Sequence, residues 1–294
     1  MLRSRDAVKL FTSQAISLLA KNDFSLLNRT IREYLIPLKF PVKISELFDL
    51  TLSQTSKDYK GEYFYKNVIA QKLFLNRHGD KATMLAEFRV GTSKADCIIL
   101  NGISTCYEIK TEFDTLNRLP EQLSSYSKVF DKVFVISANK HIDKICALLP
   151  ENVGLLELTQ RGAIKEVIKA NILNTPSEPK IMMQSLRVQE YKHIVETFFG
   201  TIPKMKNTEI FDYCLDKFHQ IPDDKLKVLF RETLKKYRAN DFNFIKRLPN
   251  SLISSAICYN MTKNEQNILL DILDKYIDEK NICTFQSCEE NNTN

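Results

Sequence analysis

The chain has 294 residues, of which 44% are hydrophobic and 27% charged, with 7 glycines and 9 prolines. This composition is typical of a globular protein with one large domain or two ordinary ones, and it excludes the collagen-like and low-complexity classes. The formal net charge of +6 suits a polyanionic partner but is far below that of a histone-like arm.

The sequence predicts no membrane segment and a cytoplasmic location. No stretch approaches the ~18 consecutive apolar residues that a membrane span needs. The N-terminal MLRSRD precedes an amphipathic stretch, without the unbroken apolar centre of a signal peptide. The seven cysteines are odd in number and mostly lie in apolar runs, which is typical of buried thiols in a reducing compartment. Cys283 and Cys288 have no histidine beside them, so no zinc site is expected there.

Three blocks are expected along the chain, covering residues 1–57, 58–172 and 173–294. The first is helical, because apolar residues recur at helical spacing over residues 10–19 and 24–34. The second starts with a helix near 61–77 and then alternates strands and helices. Its strands are predicted at 84–90, 94–100, 104–111, 132–137 and 153–158, with helices opened by Pro120 and near 139–149. The third follows a proline-containing linker at 174–179, is helical to about residue 279, and ends in an acidic tail.

The chemistry of the second block centres on Asp96, Glu108 and Lys110. Side chains alternate between the faces of a strand, so Glu108 and Lys110 project from one side. Charged groups in an apolar strand are costly unless they are compensated, and a divalent cation held by two carboxylates would compensate them.

The hairpin between the second and third strands determines whether Asp96 shares that face. A two-residue turn at Asn101-Gly102 would pair Asp96 with Tyr107 and place Glu108 on the far side. A three-residue loop, Leu100-Asn101-Gly102, brings Asp96, Glu108 and Lys110 together and gives the glycine a left-handed position. We therefore predict the three-residue loop.

The arrangement resembles the PD-(D/E)XK, or restriction-endonuclease-like, nuclease superfamily. An aspartate on one strand is followed by Glu-x-Lys on the next, and Gln122 and Tyr126 match the Gln-x3-Tyr of some members. The segment YEIKTEFDTLNRLPEQLSSY at 107–126 and RLPNSL at 247–252 are similar to the sce7726 family of bacterial proteins. The resemblance is strong over about residues 60–160. It implies an α/β fold: a restriction-endonuclease-like αβββαβ core between helical N-terminal and C-terminal regions.

The resemblance also implies a Mg²⁺- or Mn²⁺-dependent deoxyribonuclease. Its metal ligands would be Asp96, Glu108 and the backbone carbonyl of Ile109, with Glu87 favoured over Glu62 as an additional acid. Lys110 would orient the attacking water and offset charge in the transition state. Gln122 and Tyr126, four residues apart on one helix face, would order DNA or a metal-bound water, or would only pack the helix.

A basic, aromatic segment at residues 231–247 could follow a phosphate backbone, or it could be a solvated helix face. The candidate contacts to nucleic acid are Lys94, Arg118, Lys235, Lys236 and Arg238. Arg118 has a simpler interpretation as part of a local cap with Asp114.

We therefore expect a metal-dependent nuclease acting on DNA, in phage defence or DNA processing. The alternative is an inactive nuclease-fold module that binds nucleic acid or a partner protein. A homodimer or a partner protein is compatible with the sequence, and the pathway, the cleavage mode and the choice of DNA or RNA stay open.

Overall fold

The computed structural model of the chain describes residues 3–35 and 38–278. The predicted acidic tail at 289–294 and the Cys283/Cys288 pair lie outside the described residues. Within them, no helix is long and apolar enough to span a bilayer. Five free cysteines are described: Cys97, Cys106 and Cys214 are buried, as predicted, and Cys146 and Cys258 are exposed.

The helices and strands follow one another in an order close to the predicted one. The α-helices among the described residues are α1 Ser4–Ala7, α2 Ser13–Ala20, α3 Ser25–Tyr34, α4 Ile44–Asp58, α5 Glu62–Val68, α6 Leu119–Ser127, α7 Ile142–Cys146, α8 Pro179–Gln184, α9 Val188–Phe199, α10 Asn207–Gln220, α11 Asp223–Tyr237, α12 Phe242–Ile245, α13 Ile253–Cys258 and α14 Lys263–Leu273. The strands are β1 Val42–Lys43, β2 Thr83–Val90, β3 Ser93–Asn101, β4 Ile103–Lys110, β5 Lys132–Ser137, β6 Gly154–Leu158, β7 Ile164–Ile168 and β8 Tyr276–Ile277. A π-helical segment, Ile69–Leu75, continues α5, and short 3-10 turns cover Val8–Phe11, Gly79–Lys81, Asn139–His141 and Asn250–Leu252.

The described residues fold into two compact units whose boundaries differ from the predicted blocks. The first unit joins the described residues up to 71 to those from 241 onward, and the second covers residues 72–240. In the first unit, β1 pairs with β8, and an apolar cluster draws on both segments, for example Phe48 from α4 and Leu269 from α14. The sequence did not indicate this pairing, because it joins segments about 200 residues apart.

The second unit is a mixed α/β fold built on a six-stranded sheet in the order β2-β3-β4-β5-β6-β7. Strands β2, β3 and β4 are antiparallel, β4, β5 and β6 are parallel, and β7 is antiparallel to β6. The five predicted strands of the middle block are all present, and β7 is additional.

One face of this sheet is covered by α6 and by helices that follow the predicted linker. Met183 of α8, Phe218 of α10 and Phe230 of α11 are buried in the same apolar cluster as Val133 and Leu155 of the sheet. The predicted boundary at residue 173 therefore does not separate compact units, because burial of these apolar side chains against the sheet is favourable.

The loop of the hairpin between β3 and β4 has an odd number of residues, as predicted, but it is formed by other residues than those predicted. Leu100 pairs with Ser104 and Asn101 with Ile103, which leaves Gly102 at the apex with φ of 71°. The loop is therefore centred one residue later than the predicted Leu100-Asn101-Gly102. Leu100 is fully buried, so the apolar strand continues further than the turn pattern alone indicated.

Candidate functional site: a buried carboxylate–lysine network

The register of β3 and β4 brings Asp96 next to Glu108. Cys97 is paired with Tyr107, and continuing the ladder by one residue sets Asp96 opposite Glu108. The backbone N–H of Ile109 donates a hydrogen bond of 2.7 Å to Asp96 Oδ2. The predicted common location of Asp96, Glu108 and Lys110 is thus present in the second unit. The proposed role of the Ile109 carbonyl as a metal ligand stays a prediction.

Glu108 and Lys110 form an ion pair inside the unit. Lys110 Nζ lies 2.7 Å from Glu108 Oε1, and the two residues are only 6% and 2% exposed. Removing both charges from water is costly, and the attraction between them offsets this cost only when further hydrogen bonds satisfy the remaining atoms. Such bonds come from the next helix.

Helix α6 supplies Gln122 and Tyr126, which lie one turn apart. Gln122 Oε1 accepts a hydrogen bond of 2.9 Å from Lys110 Nζ. The hydroxyl of Tyr126 lies 2.8 Å from Glu108 Oε2, to which it donates, and 2.9 Å from the carbonyl oxygen of Lys94. Both side chains therefore reach the network, whereas their spacing in the sequence predicted only that they share one face of the helix.

The environment of Tyr126 keeps its hydroxyl protonated. Burial, and then the negative charge of Glu108, raise the pKa of this phenol well above its ordinary value of 10.0. A neutral phenol can donate to Glu108 throughout the neutral range. Tyr126 therefore holds one oxygen of this carboxylate while Lys110 holds the other.

Glu87 adds a second carboxylate beside Asp96. It lies on β2 between Ala86 and Phe88, which pair with the two neighbours of Asp96, and one carboxylate oxygen of Glu87 lies within 4.8 Å of one of Asp96. Glu87 has a φ of 56°, a conformation that costs a non-glycine residue about 1–2 kcal/mol. Its side chain also forms an ion pair with Lys94. Glu62, the alternative acid, lies in the first unit, where it pairs with Lys66 at 2.5 Å.

The five predicted nucleic-acid contacts have different local environments. Lys94 is exposed and paired with Glu87, and Arg118 is exposed directly before α6. Lys235 lies 3.8 Å from Glu232, and the exposed Lys236 lies over the ring of Tyr237. Asp114 accepts hydrogen bonds from Thr111, so the local cap expected near Arg118 forms with Thr111.

Arg238 has a structural environment that its predicted role did not anticipate. Its guanidinium binds Glu190 through two hydrogen bonds, of 2.7 and 2.6 Å, and Glu190 is fully buried. It also lies 5.3 Å from the ring centre of Phe88. Arg238, the residue directly after α11, therefore has a structural role, because a buried carboxylate requires a partner.

Ser137, at the end of β5, is a residue of the site that the sequence patterns did not indicate. Its buried hydroxyl donates a hydrogen bond of 2.9 Å to the carbonyl oxygen of Lys110, and the N–H of Ala138 donates to the same oxygen. Together these bonds fix the backbone at the end of β4. The available signal was a small polar residue closing the apolar strand at 132–137.

The second unit of the chain is a mixed α/β fold with a buried network of carboxylates, a lysine, a glutamine and a tyrosine. Comparison with known proteins shows to which family the chain belongs. The family model described as "Bacteriophage P4 protein cII" matches residues 55–258, more than half of the chain. The chain therefore belongs to the Bacteriophage P4 protein cII family.

The chain is also similar to two individual proteins. The protein named "Protein cII" of Enterobacteria phage P4 is 24% identical over 218 residues, covering 71% of this chain and 81% of that protein. A solved structure, the SPO1766 protein of unknown function from Silicibacter pomeroyi, is 16% identical and covers 48% of this chain and 92% of its own, with a TM-score of 0.33. A score this low supports no argument about the fold. The resemblance to the sce7726 family and the PD-(D/E)XK superfamily is untested by these matches and stays a prediction.

Proposed function

We propose that the chain is a metal-dependent phosphodiesterase that cleaves nucleic acid, with DNA as the expected substrate. The observation that carries the proposal is the convergence of Asp96, Glu108 and Lys110 on adjacent strand positions, with Gln122 in contact with Lys110. A buried lysine between a carboxylate and an amide is held in one position, which is what stabilisation of a developing charge requires.

The donor set fits a hard divalent cation. Asp96 and Glu87 present carboxylate oxygens to each other within 4.8 Å. Glu108, on the strand next to Asp96, is the third carboxylate that we propose for the set. Mg²⁺ and Mn²⁺ prefer such oxygen ligands. One Glu108 oxygen accepts a hydrogen bond from Lys110 and the other accepts one from Tyr126, and each carboxylate oxygen has lone pairs for more than one partner. When bound, a cation here would lower the pKa of a water and stabilise charge on a phosphate.

The residues of the site would have different roles in the reaction. Asp96, Glu108 and Glu87 would hold the cation, with the Ile109 carbonyl as a further ligand. Lys110 would orient the attacking water and offset negative charge on the phosphate. Gln122 positions the Lys110 ammonium through its 2.9 Å contact, and Tyr126 positions Glu108.

The fold supports a more specific version of this proposal. The order of α5, the antiparallel strands β2, β3 and β4, helix α6 and the parallel strand β5 matches the αβββαβ order of restriction-endonuclease-like cores. On this basis we infer the PD-(D/E)XK type of chemistry. Lys94, Arg118, Lys235 and Lys236 are the candidate backbone contacts to DNA, and Arg238 is withdrawn from that role. Phage defence or DNA processing is the context that such an activity would suit.

A direct test is to incubate the protein with linear duplex, supercoiled and single-stranded DNA and with RNA, in Mg²⁺, in Mn²⁺ and in EDTA. We expect metal-dependent cleavage by the wild type, and the cleaved polymer names the substrate. The Glu108→Ala variant should lose cleavage and retain binding in a salt-dependent gel-shift assay. Absence of cleavage of all four substrates by folded wild-type protein with either metal would refute the nuclease proposal.

A further inference from the structure

The second unit has a cleft on the face of the sheet opposite the Glu108 side chain. Alternation along β4 sends Tyr107 to this face while Glu108 points to the other. Tyr107 pairs in register with Phe134 of β5, and their rings stack with centroids 5.6 Å apart and planes 8° apart. This aromatic pair forms the floor of the cleft.

The cleft has the size of a small-ligand site. Two adjoining hollows of about 240 and 360 Å³ share Arg77, Tyr107, Phe134 and Glu166 in their walls. Ligand sites usually enclose about 300–1,000 Å³, so the space suits one small molecule better than a polymer. Gly154 makes room for the floor, because a Cβ there would lie 2.4 Å from the ring of Phe134.

The walls of the cleft carry an excess of positive charge. Lys132 and Lys169 line the first hollow, Lys72 lines the second, and Arg77 lines both, against a single carboxylate from Glu166. Among the residues that the structure describes, these four cations form no ion pair with a carboxylate. They are therefore available to an anion.

A neutral polar pair completes the first hollow. The side-chain amide of Asn101 lies 2.9 Å from His78 Nδ1. Burial, followed by the nearby Arg77, lowers the pKa of His78, so its ring is neutral at pH 7. The hollow thus offers hydrogen-bonding groups beside the cations and the aromatic floor.

We propose that this cleft binds a nucleotide, with its phosphate at Arg77, Lys132 and Lys169 and its base at the Tyr107–Phe134 floor. Cations alone would suit any anion, and an aromatic floor alone would suit any flat apolar molecule. A nucleotide presents both a phosphate and a planar ring, which matches the two kinds of surface in the cleft. The site is separate from the proposed catalytic network, although β4 contributes residues to each.

The test is isothermal titration of the full chain with AMP, ATP, adenosine and inorganic phosphate in EDTA, so that no cation bridges a nucleotide to the carboxylates. AMP or ATP should bind more tightly than either adenosine or phosphate alone. The Arg77→Ala/Lys169→Ala double variant should weaken nucleotide binding at least about tenfold. Lys165→Ala, which removes an equivalent charge from β7 outside the cleft, should change binding less than about twofold.

The outcomes separate this proposal from the nuclease proposal. The Asp96→Asn variant should keep wild-type nucleotide affinity in EDTA, even if it has lost cleavage. Absence of nucleotide binding to folded wild-type protein would overturn the inference, as would unchanged affinity in the double variant. Equal affinity for AMP and phosphate would also overturn it, because the aromatic floor would then contribute nothing. Circular dichroism on each variant establishes that a loss of binding is not a loss of fold.

Discussion

From the contact between Arg238 and Glu190 we predict how much the free energy of unfolding falls when the ion pair is broken. Glu190 is fully buried, and its carboxylate accepts two hydrogen bonds from Arg238 and one of 2.7 Å from the backbone N–H of Arg187. Arg238→Met removes the positive partner and leaves the carboxylate buried. Breaking a buried pair in this way costs about 3–5 kcal/mol.

Thermal unfolding followed by circular dichroism measures this loss. For a unit of this size, about 2–4 °C of Tm is lost per kcal/mol, so we expect a fall of roughly 6–20 °C. Lys236→Met, two residues earlier on the exposed side of α11, should alter stability by no more than about 0.5 kcal/mol. The Glu190→Gln/Arg238→Met double variant should be less destabilised than the sum of the single variants, since no buried charge is then left unpaired.

A structural role for Arg238 is refuted if Arg238→Met unfolds at the wild-type temperature while DNA binding falls. Arg238 would then act as a contact to nucleic acid, as the sequence pattern first indicated. A large loss of stability for Lys236→Met would also contradict it, because the cost would not follow the buried ion pair.

Three further predictions address the network and the sheet. Tyr126→Phe should lower the free energy of unfolding by about 1–3 kcal/mol at pH 7, because Glu108 loses a buried donor. The pKa of Tyr126 in the folded state is raised above 10.0, so the stabilising effect of its hydroxyl is complete below pH 10 and is lost as the pH rises further. In urea titrations, the difference in free energy of unfolding between wild type and variant should therefore become smaller above about pH 10. Gly102→Ala should lower the free energy of unfolding by about 1–2 kcal/mol, because of its φ of 71° alone. Gly154→Ala should lower it more, because the added Cβ would clash with the ring of Phe134. Equal Tm values for the two variants would contradict this ranking. Mn²⁺ binding, followed by calorimetry, should weaken at least about tenfold in Asp96→Asn, and retention of wild-type affinity would remove Asp96 from the ligand set.

Local patterns in the sequence predicted the shared faces of the network residues, because those depend on local rules. Alternation along β4 places Glu108 and Lys110 on one face, and an odd-length loop brings Asp96 to that face. The four-residue spacing of Gln122 and Tyr126 places both on one side of α6. None of these steps needs information about distant segments.

The features that the sequence did not indicate depend on distant packing. Arg238 is a cation in a basic stretch, and only the tertiary structure shows that it meets Glu190, 48 residues earlier. The linker at 174–179 is rich in proline, yet the helices after it pack on the same sheet as the strands before it. The loop at Gly102 moved by one residue because burial of Leu100 outweighed the turn preference.

We propose that Lys110 belongs to a catalytic phosphodiesterase site. The proposal is tested by the single-turnover rate of DNA cleavage in Mg²⁺ by wild type, Lys110→Ala, and Lys144→Ala as a control on the exposed surface of α7. We expect Lys110→Ala to slow cleavage about 10²–10³-fold with DNA affinity preserved, and Lys144→Ala to cleave at the wild-type rate. Cleavage by folded Lys110→Ala at the wild-type rate would show that the buried lysine is structural and not catalytic.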